Sequence, residues 1–298
     1  MEKIKNPSIK LKEKLGTNEY TEINNLQKIC LEEDKTTLKL EIDYKLSRLQ
    51  EEDKSISNIN EFLYYDKDML IGYIGICEFG RGIMEVNGMV HPGYRRRGVF
   101  KRLFSLVKDE WHKRESKKMF LLSDNDSVTG LEFIKSTGAS HAHSEYEMFL
   151  KNDEHQRLIA KNVVLRKATN EDGREIAWQN SIYFNMKFNE ADILMPEEEE
   201  KCGSYIYMAE VNNKIIGKVH LEISDGVGGI FGLGVLPEYR KKGYGREILV
   251  GAIEKLKEKG SKELMLQVEA KNSNALNLYK SCGFQETSTM NYYETRNL

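Results

Sequence analysis

The chain has 298 residues, of which 40% are hydrophobic and 31% charged, and its formal net charge is −2. That length suits two domains, each able to bury a core of its own, and the near-neutral balance excludes the broad basic field of a nucleic-acid binder. No apolar run reaches the ~20 residues of a membrane-spanning helix. The N-terminus, Met1-Glu-Lys-Ile-Lys-Asn-Pro-Ser, lacks a signal peptide's apolar segment. Cys30, Cys77, Cys202 and Cys282 lie far apart with no CxxC pair, so free thiols, a cytoplasmic location and no metal site are expected.

Taken in order, residues 1 to about 55 carry little pattern beyond helical stretches at Glu22–Leu31 and Leu38–Leu49. Glu61–Asp66 and Leu70–Cys77 read as strands joined at Lys67-Asp68, and Ile83–Val90 as a third. Leu103, Phe104, Val107 and Trp111 form a helical stripe. Lys118–Ser123 is a strand, Val128–Ser136 a short helix and His141–Leu150 a closing strand. The polar passage Lys151–His155 separates an N-terminal domain, 1–155, from a C-terminal one, 160–298.

The second domain repeats the plan. It opens with a strand at Val163–Arg166 and a helix capped near Thr169 or Asn170; the acidic run Pro196–Glu200 reads as a solvated helix start. Tyr205–Val211 and Lys214–Ile223 flank an Asn212-Asn213 hairpin turn. Then come a strand at Gly229–Leu236, a helix striped by Ile248, Leu249, Ala252, Ile253 and Leu256, a strand at Leu264–Val268, a helix at Ala275–Ser281 and a strand at Thr289–Thr295. Pro92, Tyr94, Arg95 and Gly98 recur as Pro237, Tyr239, Arg240 and Gly243, all 145 positions later. Gly72 and Gly217, Lys135-Ser136 and Lys280-Ser281, and Gly138 and Gly283 share that offset. One gapless offset across so many positions marks a duplicated domain. Antiparallel strands followed by strand-helix-strand give an α/β chain of α+β type, with a mixed, mostly antiparallel sheet flanked by helices in each half.

The most informative stretch is Leu233-Gly-Val-Leu-Pro-Glu-Tyr-Arg-Lys-Lys-Gly-Tyr-Gly-Arg246, a strand entering a helix through a basic, glycine-bearing turn. Unpaired amides and the dipole at a helix start attract anions, and glycine permits close backbone approach, so the turn suits a pyrophosphate.

Arg240, Gly243 and Gly245 fill the three fixed positions of the acyl-CoA-binding motif of the GNAT acyltransferase superfamily, which this stretch resembles. Asn272, Asn274, Ala275, Leu278-Tyr279 and Gly283-Phe284 resemble the family's second motif, in the expected order and separation. The resemblance implies two tandem GNAT folds, acetyl-CoA as acyl donor, and transfer to an amine of a small molecule or peptide. It implies no metal, nucleic acid or membrane as partner, and leaves monomer or homodimer open. The two-domain plan is similar to that of mycothiol synthases. A non-catalytic acyl-CoA sensor and transfer of a longer acyl group are the competing readings.

Residue by residue, the resemblance assigns Leu233, Gly234 and Val235 to the pantetheine arm. Arg240, Lys241, Lys242, Gly243, Tyr244, Gly245 and Arg246 go to the pyrophosphate. Asn272 and Asn274 either touch the cofactor or cap a helix. Tyr279 stands where the family keeps the acid that assists the leaving thiolate. The family's usual base position is Gly229, so Glu222, with His220 and Glu269 as alternatives, is the candidate base. Val90, Arg95 and Gly98 are the matching cofactor positions in the first copy. There Phe100 replaces the second glycine, Ile134 the tyrosine, and Ser127 and Thr129 the asparagines, so that copy is expected to be non-catalytic. His141 and His143 are more readily surface histidines than metal ligands. Tyr183, Phe184 and Phe188 are either acceptor-pocket residues or part of an amphipathic core face.

Overall fold

The computed structural model describes residues 3–47, 58–78, 82–114, 116, 118–152, 162–224 and 226–295. The chain divides into two compact units, Met1–Ser144 with Ser288–Leu298, and Glu145–Thr287. Most of the passage Lys151–His155, read as a boundary, lies outside the described residues.

Unit one begins with β1 (Pro7–Lys12), α1 (Thr17–Asp34) and α2 (Ile42–Ser47). It continues with β2 (Glu61–Asp66), β3 (Met69–Cys77), β4 (Ile83–Val90), α3 (Val99–Trp111), β5 (Lys118–Asp124) and α4 (Val128–Thr137). Strands β1 to β4 pair antiparallel in sequence order, and β5 joins β4 in parallel. One face packs Phe62, Ile74, Met84 and Val86 beneath Leu103, Phe104, Val107 and Trp111 of α3. Ile23, Leu26 and Cys30 of α1 cover Leu63, Tyr65, Tyr73 and Met89 on the other. The sheet is thus buried on both sides.

Unit two repeats this with β7 (Val164–Lys167), α5 (Gly173–Tyr183), α6 (Pro196–Lys201), β8 (Ser204–Val211), β9 (Lys214–Ser224) and β10 (Val227–Val235). Next come α7 (Tyr244–Glu258), β11 (Glu263–Glu269) and α8 (Ser273–Ser281). Strands β7 to β10 pair antiparallel and β11 joins β10 in parallel. The predicted stripe of α7 closes on Val219, Leu221, Ile230 and Leu266, while Ile176 of α5 packs with Ala168, Ile206 and Met208. Thr169 and Asp172 form a capping box on the single 3-10 turn, Asn170–Asp172, that leads into α5.

The closing strands are β6 (Ser140–Leu150) and β12 (Phe284–Thr295). In unit two Glu145–Phe149 pair antiparallel with β11, and in unit one Met290–Thr295 pair antiparallel with β5. Each sheet takes its last strand from the other repeat's sequence.

Two expectations near the N-terminus change. Strand β1 had no sequence counterpart; its lead-in is held by Asp66, whose carboxylate accepts from the amides of Lys5 and Asn6 at 3.0 and 2.8 Å. The helix expected over Leu38–Leu49 is described only at Ile42–Ser47. Before it, the Thr37 amide and hydroxyl donate to Asp124, and Glu41 takes a left-handed φ of 55°, so that stretch is not helical.

Candidate active site

Within unit two, β10 and β11 are paired only from Val227–Ile230 against Glu263–Leu266. Beyond this, β10 bulges between Phe231 and Gly234, with Gly232 at φ 51°. The two strands separate there, leaving unpaired backbone edges on which an extended ligand can hydrogen-bond like an added strand. Leu233, Gly234 and Val235 all lie on this separated segment.

The chain then makes a single turn of 3-10 helix at Pro237–Tyr239 and reaches the basic turn. The Arg240 side chain is used structurally: its Nε donates to the Val235 carbonyl at 2.9 Å. Lys241 and Gly243 both take left-handed backbone, with φ 60° and 86°. The amides of Arg246 and Glu247 are the first of α7 to bond backward, to the Gly243 carbonyl. Those of Tyr244 and Gly245 precede any helical bond and can meet an anion. Lys242 lies over the Tyr239 ring at 5.4 Å. Arg246 donates from Nη1 to Ser281 Oγ and from Nη2 to the Ser281 carbonyl, tying the turn to the end of α8.

Tyr279 projects from α8 into the core that α7 builds, 8% exposed, with its ring 6.3 Å from that of Phe284. Burial pushes its phenol up to about 12, so the hydroxyl is a proton donor across the ordinary pH range. Asn272 caps α8, its Oδ1 accepting from the Ala275 amide at 3.2 Å; Asn274 is exposed. The candidate bases do not converge. Glu269 is held by Lys271 at 2.6 Å. His220 Nε2 bonds Ser204 Oγ and lies 3.9 Å from Glu222. Tyr183 lies against β10, so close that a Cβ at Gly234 would fall 2.2 Å from its ring; Phe184 is half exposed, and Phe188 lies under the Arg174 guanidinium.

One residue escaped the sequence reading. Lys218, on β9 opposite Gly234, is 3% exposed and donates from Nζ to the Gly232 carbonyl at 3.2 Å. Burial pulls its ammonium down to about 8. Lysines in strands are so often solvent-facing that only its place beside the bulge reveals it.

Unit one carries the same frame. Strands β4 and β5 pair only at Ile83–Val86 against Lys118–Leu121. Arg95 Nε donates to the Val90 carbonyl at 3.0 Å, as Arg240 does five residues after Val235, and Gly98 has φ 79°. A cavity of about 360 Å³ opens there, lined by Val90, Arg95, Gly98 and Ile134 among others. Arg95 is already neutralised by a two-pronged pair with Asp34, at 2.6 and 2.5 Å. Phe100 packs edge-on to Phe133, and Ser127 and Thr129 line the cavity. His143 stacks on Tyr292 and His141 sits edge-on to Tyr293; among the described residues no His, Cys, Asp and Glu cluster could hold a metal ion. Nor is any described helix long and apolar enough to cross a membrane.

The model of the acetyltransferase (GNAT) family matches residues 171–284, which include the separated strand, the basic turn and Tyr279. That segment is similar to the GNAT acetyltransferase family. Among the relatives of this chain, mycothiol acetyltransferase of Thermobispora bispora is 28% identical over 242 residues, covering 74% of this chain and 79% of the relative. The ribosomal protein bS18-alanine N-acetyltransferase of Escherichia coli K12 is 42% identical over 67 residues, 22% of this chain and 45% of the relative. The chain thus spans less than half the length of that relative. In fold, it superposes on a GCN5-related N-acetyltransferase from Sphaerobacter thermophilus with a TM-score of 0.75 at 16% identity, covering 97% and 96% of the two chains. A tandem GNAT protein from the clavulanic acid biosynthesis pathway gives 0.71 at 13% identity, covering 96% and 98%.

Proposed function

We propose that unit two of this chain transfers the acetyl group of acetyl-CoA to an acceptor amine by direct attack, and that unit one is non-catalytic. The observation that carries this is the coincidence, in one unit, of separated strands, an amide-lined turn at Gly243–Gly245 and a buried tyrosine hydroxyl at Tyr279. In this reading the pyrophosphate rests on the first amides of α7, and the pantetheine arm lies along Leu233–Val235. A backbone amide near Val235 polarises the thioester carbonyl. Tyr279 supports the departing thiolate, whose thiol has a pKa of about 8.5 by analogy with cysteine. Glu222 takes the amine's proton directly or through water.

In unit one the tyrosine position is the buried Ile134, so no hydroxyl assists a thiolate there. The acceptor class is a primary amine on a small molecule, as the mycothiol acetyltransferase likeness suggests, or a peptide amino terminus, as the bS18-alanine likeness suggests. Acetyl-CoA release of free thiol, measured with each amine class as probe, tests the reading. Turnover lost in Tyr279→Phe with acetyl-CoA affinity retained supports it, and turnover unchanged in that variant removes it.

A further inference from the structure

Lys218 is a buried amine at the point where β10 leaves β11. Its Nζ is 3.2 Å from the Gly232 carbonyl, and a Cβ on Gly232 would itself lie 3.2 Å from that nitrogen. Glycine at the bulge therefore leaves the amine facing bare backbone. Tyr183, from α5, presents its ring 5.8 Å away, and His220 is the next residue on the same side of β9, its Cβ 3.8 Å from the same Cβ position. Across the neighbouring strands stand Met208 and Gly234, neither titratable. The shift of Lys218 comes from burial alone, with no charged neighbour contributing.

We propose that Lys218 is a site of self-acetylation, taking the acetyl group from acetyl-CoA held in unit two when no acceptor amine is present. The inference rests on the donor placement argued above, which sets the thioester at the bulge. The step balances without a further reactant. The neutral Nζ lone pair attacks the thioester carbonyl, a C–N bond forms and the C–S bond breaks. The thiolate leaves and takes up the proton that the new amide nitrogen loses, so one acetyl-lysine and one free CoA thiol result.

Two consequences follow from the chemistry. An ordinary lysine, with a pKa of about 10.4, is almost wholly protonated near pH 7.5, whereas a group titrating near 8 has a neutral fraction about 10²-fold larger. The product amide, uncharged and larger, would fill the space beside the bulge and lower turnover, making the modification a brake on an idle enzyme.

The test is to incubate the full chain with isotopically labelled acetyl-CoA and no amine, and map acetylated lysines by mass spectrometry of its peptides. Binding of acetyl-CoA is measured alongside by calorimetry. The expected result is acetylation of Lys218 at least tenfold faster than at any other lysine, rising with pH through about 8 and suppressed by excess CoA. Acetyl phosphate, which lacks the nucleotide, should leave Lys218 unlabelled, and the Lys218→Arg and Lys218→Met variants should show no such rapid site. Acetyl-CoA binding without Lys218 labelling overturns the inference and leaves the donor reading intact. Labelling no faster than at exposed lysines, or insensitive to CoA, overturns it as well. Absence of acetyl-CoA binding overturns the donor reading and this inference together.

Discussion

Glu222 on β9 lies directly across the ladder from Gly229 on β10. Directly paired residues project from the same face of a sheet. In the proposed reading, Glu222 supplies from the adjoining strand the carboxylate that Gly229 lacks. A Cβ at Gly229 would fall 2.4 Å from the Phe231 ring, so a larger residue there requires that ring to move. Glu222→Gln is expected to lower kcat about 10²-fold while acetyl-CoA affinity stays within about twofold. Steady-state kinetics with an accepted amine checks this, and an unaffected kcat would move the base to His220.

Tyr279→Phe removes a hydroxyl and little volume. If the hydroxyl acts only as the thiolate leaves, kcat and kcat/KM should fall together, by about 10²-fold, with acetyl-CoA affinity preserved. Because burial holds the phenol near 12, the parent's rate should show no loss assignable to tyrosine ionisation below about pH 10. A pH–rate profile of parent and variant reads both effects.

Lys218 costs the fold stability. Its folded pKa, about 8, lies below the ordinary 10.5, so between these values the unfolded chain binds more protons and stability rises with pH. The penalty is fully present below about pH 8 and gone above about 10.5, and a shift of this size corresponds to about 3 kcal/mol. Lys218→Met should therefore raise stability at pH 7 by about 2 kcal/mol and abolish that pH dependence, as denaturant titrations at pH 7 and 10 would show.

The contact of Tyr183 with Gly234 predicts a coupled pair. Gly234→Ala should destabilise by about 1–3 kcal/mol, since its methyl would overlap the ring. Tyr183→Ala opens the space, so the double variant should lose less than the two single losses combined. Denaturant midpoints of the four proteins supply the cycle.

The duplication and the element order were legible in the sequence because glycines, prolines and apolar stripes recur at one offset. Strands such as Ile83–Val90 coincide with prediction to the residue. The turn at Arg240–Gly245 was equally plain, since left-handed backbone such as that at Gly243 favours glycine. What stayed hidden depends on distant partners. Strand β1 is fixed by Asp66, some 60 positions away, and the pairing of β12 with β5 joins residues some 170 apart. Lys218 looked like any strand lysine until its burial beside Gly232 was seen. The structural use of the Arg95 and Arg240 side chains, each donating to a carbonyl five residues earlier, likewise needed the folded turn.

In the proposed reading the Gly243 turn of unit two holds the acyl donor. Gly243 has φ 86° with nothing within 4 Å of a Cβ placed there, so Gly243→Glu strains the backbone and sets a carboxylate beside the anion-binding amides without crowding the core. Calorimetric titration of acetyl-CoA into the parent and this variant, with circular dichroism confirming the fold of both, is the most direct measurement. Acetyl-CoA should bind the parent, and the variant should lose one site per chain. Equal stoichiometry and affinity in the two proteins would contradict that reading.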